Sequence, residues 1–223
     1  GVSGHINDAV DYLRSTVIPK LKRWGRWFQG LRQKRLFAGQ KGPGQPSAPH
    51  ISTPRYNAAI DVVGIGISTG GPSALAHVLK DLPVNFDVPV LITQHMPIHC
   101  TRFLAERLNA ACQIEVREAI DGAVLGPGQV WIAAGDKHMV TRRSRSGVSL
   151  SLTDDPPENS CRPSADVMFR SIAEVYHNRC LAVVMTGMGK DGLEGSREIK
   201  LRGGHVYAQD EETSVAWGMP RAI

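Results

Sequence analysis

From residue 60 onward the chain alternates short apolar runs with amphipathic helical stretches, and few architectures accept that pattern. Strand-like runs fall at Asp61–Ile67, Val88–Thr93, Ile114–Arg117, Val130–Ala133, Leu181–Met185 and His205–Ala208. Helix-like runs fall at Ser73–Lys80, Arg102–Ala110, Ala165–Tyr176 and Leu193–Leu201. Strands separated by helices are joined by crossovers, so they pair in parallel, and a parallel sheet needs both faces covered. The expected fold class is therefore α/β, a doubly wound, mostly parallel, Rossmann-like three-layer sheet. One stretch breaks the alternation. Met139–Arg142 and Val148–Leu152 flank Arg145-Ser146-Gly147, which reads as an antiparallel hairpin inserted in the α/β pattern. Local signals mark helix ends: Pro72 suits a first helical turn, Ser164 an N-cap and Gly203-Gly204 a C-cap.

Ahead of this region the chain is different in kind. Ile6, Val10, Leu13, Val17, Leu21, Trp24, Phe28 and Leu31 recur every three or four residues, which predicts an amphipathic helix with a kink or restart at Pro19. Residues 1–59 hold 10 Lys/Arg against 2 Asp/Glu, whereas residues 60–223 hold 16 against 19. The formal charge of +5 therefore belongs to the first segment, and the rest is mildly acidic. No nucleic-acid motif accompanies the basic residues, so they read as the solvated face of a helix that packs on another domain. Ala38–Pro54 is rich in Gly, Pro, Gln and Ser without periodicity and reads as a linker. The expected organisation is a basic helix over 1–37, a linker over 38–59 and one catalytic domain over 60–223.

Some classes are excluded. A hydrophobic content of 42% is too high for a disordered chain. The longest nearly apolar stretch, Ala58–Ile67, contains Asp61 and falls short of the ~20 residues of a membrane span. No signal peptide is visible, and Cys100, Cys112, Cys161 and Cys180 lack paired spacing. Isolated thiols in a cytoplasmic protein are the expectation.

Ligands of doubly wound sheets bind beyond the carboxyl ends of strands, which directs attention to three loops. The first is Gly64-Ile65-Gly66-Ile67-Ser68-Thr69-Gly70-Gly71-Pro72, the second Thr93-Gln94-His95-Met96-Pro97, and the third Thr186-Gly187-Met188-Gly189-Lys190-Asp191-Gly192. Two readings of the first compete. Its glycines resemble a dinucleotide fingerprint, although Thr69 stands where a strict G-x-G-x-x-G needs glycine. Gly66-Ile67-Ser68-Thr69-Gly70 also fits a G-x-S-x-G elbow, a tight turn that exposes a serine hydroxyl. A serine needs a base to take its proton and a third group to orient that base. His95 and Asp191, each at another strand's carboxyl end, supply those residue types. The main-chain N–H groups of Thr69 and Met188 are placed to donate to an oxyanion. His95 and His99 are four apart, but Pro97 between them opposes a shared helical face, and no metal is assigned. His138 reads as a loop or hairpin residue.

Together with Ala134-Gly135-Asp136-Lys137-His138-Met139, Arg162-Pro163-Ser164-Ala165-Asp166-Val167 and Gly218-Met219-Pro220-Arg221, these blocks resemble the catalytic domain of the CheB chemotaxis protein-glutamate methylesterases, from about Asp61 to the end. The resemblance implies a serine hydrolase that demethylates glutamate γ-methyl esters on chemoreceptor helices and deamidates receptor glutamines, with no cofactor. It implies Ser68 as nucleophile, His95 as general base and then acid, Asp191 as the group orienting His95, and Thr69 and Met188 as the oxyanion hole. The implied partners are methylated chemoreceptor helices and, in full-length members, a phosphoacceptor receiver domain; nucleic acid and direct membrane insertion are not expected. Four departures stand out. Ile67 occupies a position often held by Ala, and Lys190 one often held by Asn. Family domains continue past Pro220-Arg221 into a further strand and helix. Residues 1–59 are too short for a receiver domain, and Ile6–Leu31 is expected to correspond to that domain's last helix running into the linker. Two alternatives remain: a lipase-like α/β-hydrolase using Ser68, Asp191 and His205, and a nucleotide-binding module built on Gly64–Gly71.

Overall fold

The computed structural model describes residues 60–145 and 147–223, so the predicted helix over Ile6–Leu31, the linker and the basic segment lie outside the described residues. Strand β1 (Val62–Ile67) leads through helix α1 (Gly71–Lys80) to β2 (Val90–Gln94), and α2 (Cys100–Ala111) leads on to β3 (Glu115–Glu118) and β4 (Gln129–Ile132). A hairpin of β5 (His138–Ser144) and β6 (Gly147–Thr153) precedes α3 (Ala165–Tyr176), β7 (Cys180–Val184), α4 (Leu193–Leu201), β8 (His205–Ala208) and α5 (Gly218–Ala222). Six strands form one sheet in the order β3-β4-β2-β1-β7-β8, every pair parallel.

Period-two alternation sorts the sheet's side chains into two cores. Val63, Ile65 and Ile67 of β1, Val90 and Ile92 of β2, and Leu181 and Val183 of β7 join one cluster with Leu75, Leu79, Leu104 and Leu108 of α1 and α2. Val62, Leu91, Ala182 and Val184 face the other way, toward Met168, Phe169, Ile172 and Ile199 of α3 and α4. The even positions 64 and 66 of β1 are glycines because α3 lies against them. A Cβ on Gly64 would sit 2.8 Å from the Ile172 side chain, and one on Gly66 2.8 Å from the Ala165 Cβ. Those glycines serve helix-to-strand packing against Ala165, Phe169 and Ile172 rather than a close backbone approach to a dinucleotide.

The hairpin is a separate two-stranded sheet, longer than predicted, with Ser144 paired to Gly147. It covers α3: the Thr141 N–H donates to Ser171 Oγ at 2.9 Å, and the Arg143 guanidinium to the Val175 carbonyl at 2.7 Å. Helix α4 ends as expected from Gly203-Gly204. The Gly203 N–H bonds to the Lys200 carbonyl and the Gly204 N–H to the Ile199 carbonyl, with Gly203 at φ 82°. The predicted N-cap at Ser164 needs correction. Ser164 occupies the N-cap position of α3 with extended backbone, but its side chain makes no cap bond. Its hydroxyl is used elsewhere, as described below.

From β1 the chain moves to β2 on one side, and later enters β7 on the other, so the winding reverses at β1. Doubly wound sheets open a crevice at such a switch point. The carboxyl ends of β2, β1 and β7 lie side by side there.

Candidate active site

Ser68 is the first residue beyond β1. Its N–H is held by the Thr186 carbonyl at 2.9 Å, and its carbonyl accepts the Gly71 N–H at 2.8 Å, closing the tight turn into α1. Gly70 in that turn has φ 81°, a left-handed conformation that glycine tolerates without strain. A Cβ on Gly187 would lie 2.8 Å from the Ser68 Cβ, so the third loop runs directly beside the serine. Among the described residues, the N–H groups of Thr69 and Met188, the residues after Ser68 and Gly187, make no hydrogen bond.

His95 follows β2, its N–H bonded to the Ile67 carbonyl at 3.1 Å. Its Nε2 lies 2.7 Å from Asp191 Oδ2, and its Nδ1 lies 3.6 Å from Cys161 Sγ. The Ser68 hydroxyl makes no hydrogen bond to His95. An ionised carboxylate only accepts, so the pair places the ring proton on Nε2 and leaves Nδ1 as an acceptor facing the Cys161 thiol. Between the two loops sits Gln94, 1% exposed, whose Nε2 donates to the Ser68 carbonyl at 3.0 Å and the His95 carbonyl at 3.2 Å. One buried amide thus ties the serine turn to the histidine loop.

Asp191 is 2% exposed and accepts from five donors. They are His95 Nε2, the Ser164 hydroxyl at 2.7 Å, the Asn159 amide at 3.0 Å, and the main-chain N–H groups of Ala165 and Asp166 at 2.6 and 3.2 Å. The last two open α3, so Asp191 caps that helix from another loop, where unsatisfied N–H groups and the helix dipole favour negative charge. Burial pushes the Asp191 carboxyl up, but hydrogen bonds from His95, Ser164 and Ala165 outweigh it and hold the carboxyl down at about 2. Its neighbour Asp166 responds in the opposite direction: burial raises it above the usual carboxylate range, and the Asp191 charge adds to the rise. The Asn159 amide bridges the two carboxylates.

Ser68, His95 and Asp191 lie on neighbouring loops, with His95 bonded to Asp191, and His205 lies elsewhere. His205 pairs in register with Leu181 at the start of β7, at the amino end of the sheet, while Asp191 follows β7's carboxyl end. The alternative Ser68/Asp191/His205 set is thereby excluded. His99 is exposed and opens α2, and His138 is fully buried, donating from Nε2 to the Pro156 carbonyl while Nδ1 accepts the Ser164 N–H. His138 is a hairpin residue that braces the loop before α3. Lys190 is exposed and is not among the groups that hold Asp191 down. Sequence reasoning did not single out Cys161, Asn159 or Gln94. The Arg162-Pro163-Ser164 block stands out in the sequence, but nothing local says that its neighbours reach the loop after β7. The ligand-capable atoms of His95, Cys161 and Asp191 lie within 4.8 Å of one another, a grouping invisible in their spacing.

A serine on a strand-to-helix turn, a histidine–carboxylate pair and two unengaged N–H groups, set at the switch point of a doubly wound sheet, define a hydrolase-type α/β domain. The chain belongs to the CheB methylesterase family, whose model matches residues 63–223. It is 42% identical over 221 residues to a protein-glutamate methylesterase/protein-glutamine glutaminase of Trichodesmium erythraeum, covering 99% of this chain and 61% of that protein. It is 51% identical over 165 residues to the protein of the same name from Azospirillum brasilense, covering 73% of this chain and 42% of that one. The crystal structure of the Thermotoga maritima CheB methylesterase catalytic domain superposes with a TM-score of 0.72 at 41% identity, over 74% of this chain and 87% of that chain. The chain thus spans about half the length of the curated relatives it matches. No helix of the described residues is long and apolar enough to cross a membrane.

Proposed function

We propose that this chain is a cytoplasmic serine hydrolase that removes methyl groups from glutamate γ-methyl esters on chemoreceptor helices, releasing methanol, and deamidates receptor glutamines. The observation that carries the reading is the buried His95–Asp191 pair at 2.7 Å, on the loops that flank the Ser68 turn. Ser68 is the nucleophile, and because Asp191 holds the Nε2–H, the base is His95 Nδ1. Hydrogen bonds of this kind commonly tighten only when substrate arrives. As Ser68 Oγ bonds to the ester carbonyl carbon, its proton passes to Nδ1 and the carbonyl electrons move onto oxygen, which the Thr69 and Met188 N–H groups stabilise. One such donor is worth roughly 3 kcal/mol in the transition state. The tetrahedral adduct collapses, the methoxy oxygen takes the Nδ1 proton, and methanol leaves. Water, deprotonated by Nδ1, then attacks the acyl-serine; the proton returns to Ser68 and a glutamate carboxylate departs. With glutamine the same route releases ammonia. No step calls for a cofactor.

The site-bearing domain is residues 60–223, joined by the 38–59 linker to the basic segment 1–37, which corresponds to the end of a receiver domain. The match to the T. erythraeum protein extends over 99% of the chain and so reaches into this segment. The partner of this segment is protein rather than nucleic acid or membrane, and tight, steeply salt-dependent binding of a 1–36 peptide to DNA or anionic vesicles would refute that. The test of the activity is methanol release from methylated chemoreceptor, with Ser68→Ala and His95→Ala each expected to abolish it and His205→Ala to retain it. Full activity in His95→Ala would sink the reading.

A further inference from the structure

We propose that Cys161 and His95 form a binding site for a soft divalent cation, zinc above all, and that its occupation switches the hydrolase off. The inhibition rests on the proposed role of His95 as base; the site itself does not. Cys161 Sγ and His95 Nδ1 are 3.6 Å apart. A tetrahedral zinc ion bonded to a thiolate at ~2.3 Å and an imidazole nitrogen at ~2.0 Å holds those two atoms about 3.5 Å apart. The two ligands already stand at the required separation.

Three further features favour a cation there. The imidazole presents a lone pair at Nδ1, because its other nitrogen donates to Asp191 at 2.7 Å. A carboxylate behind a histidine in this way fixes the tautomer and raises the basicity of the ligating nitrogen, as the outer partners of metal-bound histidines do. Asp191 is fully engaged by five donors, so it acts as that outer partner, and solvent completes the coordination. Cys161 is half-buried rather than sealed, and its backbone is pinned by reciprocal hydrogen bonds with Glu158, at 2.8 and 3.1 Å. Glu158 is itself held by a two-bond ion pair with Arg170 of α3. The thiol is thus carried on a fixed loop and not on a free one.

Binding balances simply: the Cys161 S–H proton goes to solvent, a sulfur–zinc bond forms, and Nδ1 gives its lone pair to the metal. That is the same lone pair that must take the Ser68 proton. A metal-bound ring cannot serve as base, so occupancy and turnover exclude one another. A sulfur ligand selects zinc over magnesium or calcium, which prefer oxygen.

The test has two readouts on the whole chain. Cobalt(II), added as a spectroscopic probe, is expected to give a thiolate-to-metal charge-transfer band that disappears in Cys161→Ser and in His95→Ala, and persists in Cys100→Ser and Cys112→Ser. Thermal unfolding confirms that each variant is folded. Zinc is expected to inhibit methanol release at a concentration at least tenfold lower in the unsubstituted chain than in Cys161→Ser, each compared with its own metal-free rate, and magnesium is expected not to inhibit. A charge-transfer band that survives Cys161→Ser, or equal zinc sensitivity of the two proteins, overturns the proposal. If the chain shows no esterase activity at all, the activity assignment fails and the cobalt spectra alone decide the site.

Discussion

Asp191 does two jobs with one carboxylate. It holds the Nε2–H of His95, and it satisfies the first N–H groups of α3 in place of the N-cap residue. Asp191→Asn would present an amide N–H to Nε2, favouring the ring tautomer with its proton on Nδ1, where a base is needed. Methanol release should then fall on the order of 10³–10⁴-fold with little change in KM, as for a triad histidine held in the wrong tautomer. The same carboxyl sets an acid limit on stability. Its folded-state value of about 2 lies below the ordinary 3.8, so between those two pH values the unfolded chain binds the proton and the folded one does not. Its contribution is therefore complete above about pH 4, amounts to about 2 kcal/mol, and is lost as pH falls through about 2. Urea midpoints across pH 2–5 should show that slope, and Asp191→Asn should flatten it. Gln94 supplies a third test at this scale. Gln94→Met keeps the volume but strands the His95 carbonyl and removes one of the two hydrogen bonds to the Ser68 carbonyl, and should lower the unfolding free energy by about 1–3 kcal/mol.

At the scale of elements, the contact between β1 and α3 is what brings the helix N-terminus to Asp191. Gly66→Ala places a Cβ 2.8 Å from the Ala165 Cβ, at the first turn of α3. Neither backbone can yield cheaply, and overpacking of this kind costs about 1–3 kcal/mol. The helix start would move away from the Asp191 carboxylate, so activity should fall by a larger factor than in a core substitution of equal destabilisation far from this end of α3. Urea unfolding and methanol release measured on the same sample separate the two effects. Apart from the short α5, elements were readable in the sequence to within a few residues, because apolar periodicity is a local property. Pro72 and Gly203-Gly204 marked real helix ends for local reasons: a fixed φ at the first turn, and a left-handed residue past the last. Ser164 misled. Its position was right, but a carboxylate twenty-seven residues away in the chain outcompeted its hydroxyl for the helix N–H groups, and no local pattern reports such a rival.

At the scale of the whole molecule, the two cores are unequal in what they support. The core beneath α1 and α2 packs one face of the sheet, whereas the one beneath α3 and α4 also takes in Ala165, the residue that follows the loop carrying Asn159, Cys161 and Ser164. Phe169 is fully buried at its centre, against Gly64, Gly66 and Gly195. Phe169→Ala should cost about 3–5 kcal/mol in urea unfolding. Refilling the space with Phe169→Leu should recover a large part of that. The sequence alone determined the strands and helices, the parallel class of the sheet, and the three loops on which Ser68, His95 and Asp191 ride, since each follows from local periodicity and turn chemistry. It could not say that β1 lies between β2 and β7. That order is decided by strand pairing between residues far apart in the chain, and it alone turns three separate loops into one crevice. The same long-range packing brought Cys161 and Asn159 beside residues with which they share no sequence pattern, because proximity across a sheet depends on the crossovers and not on spacing along the chain.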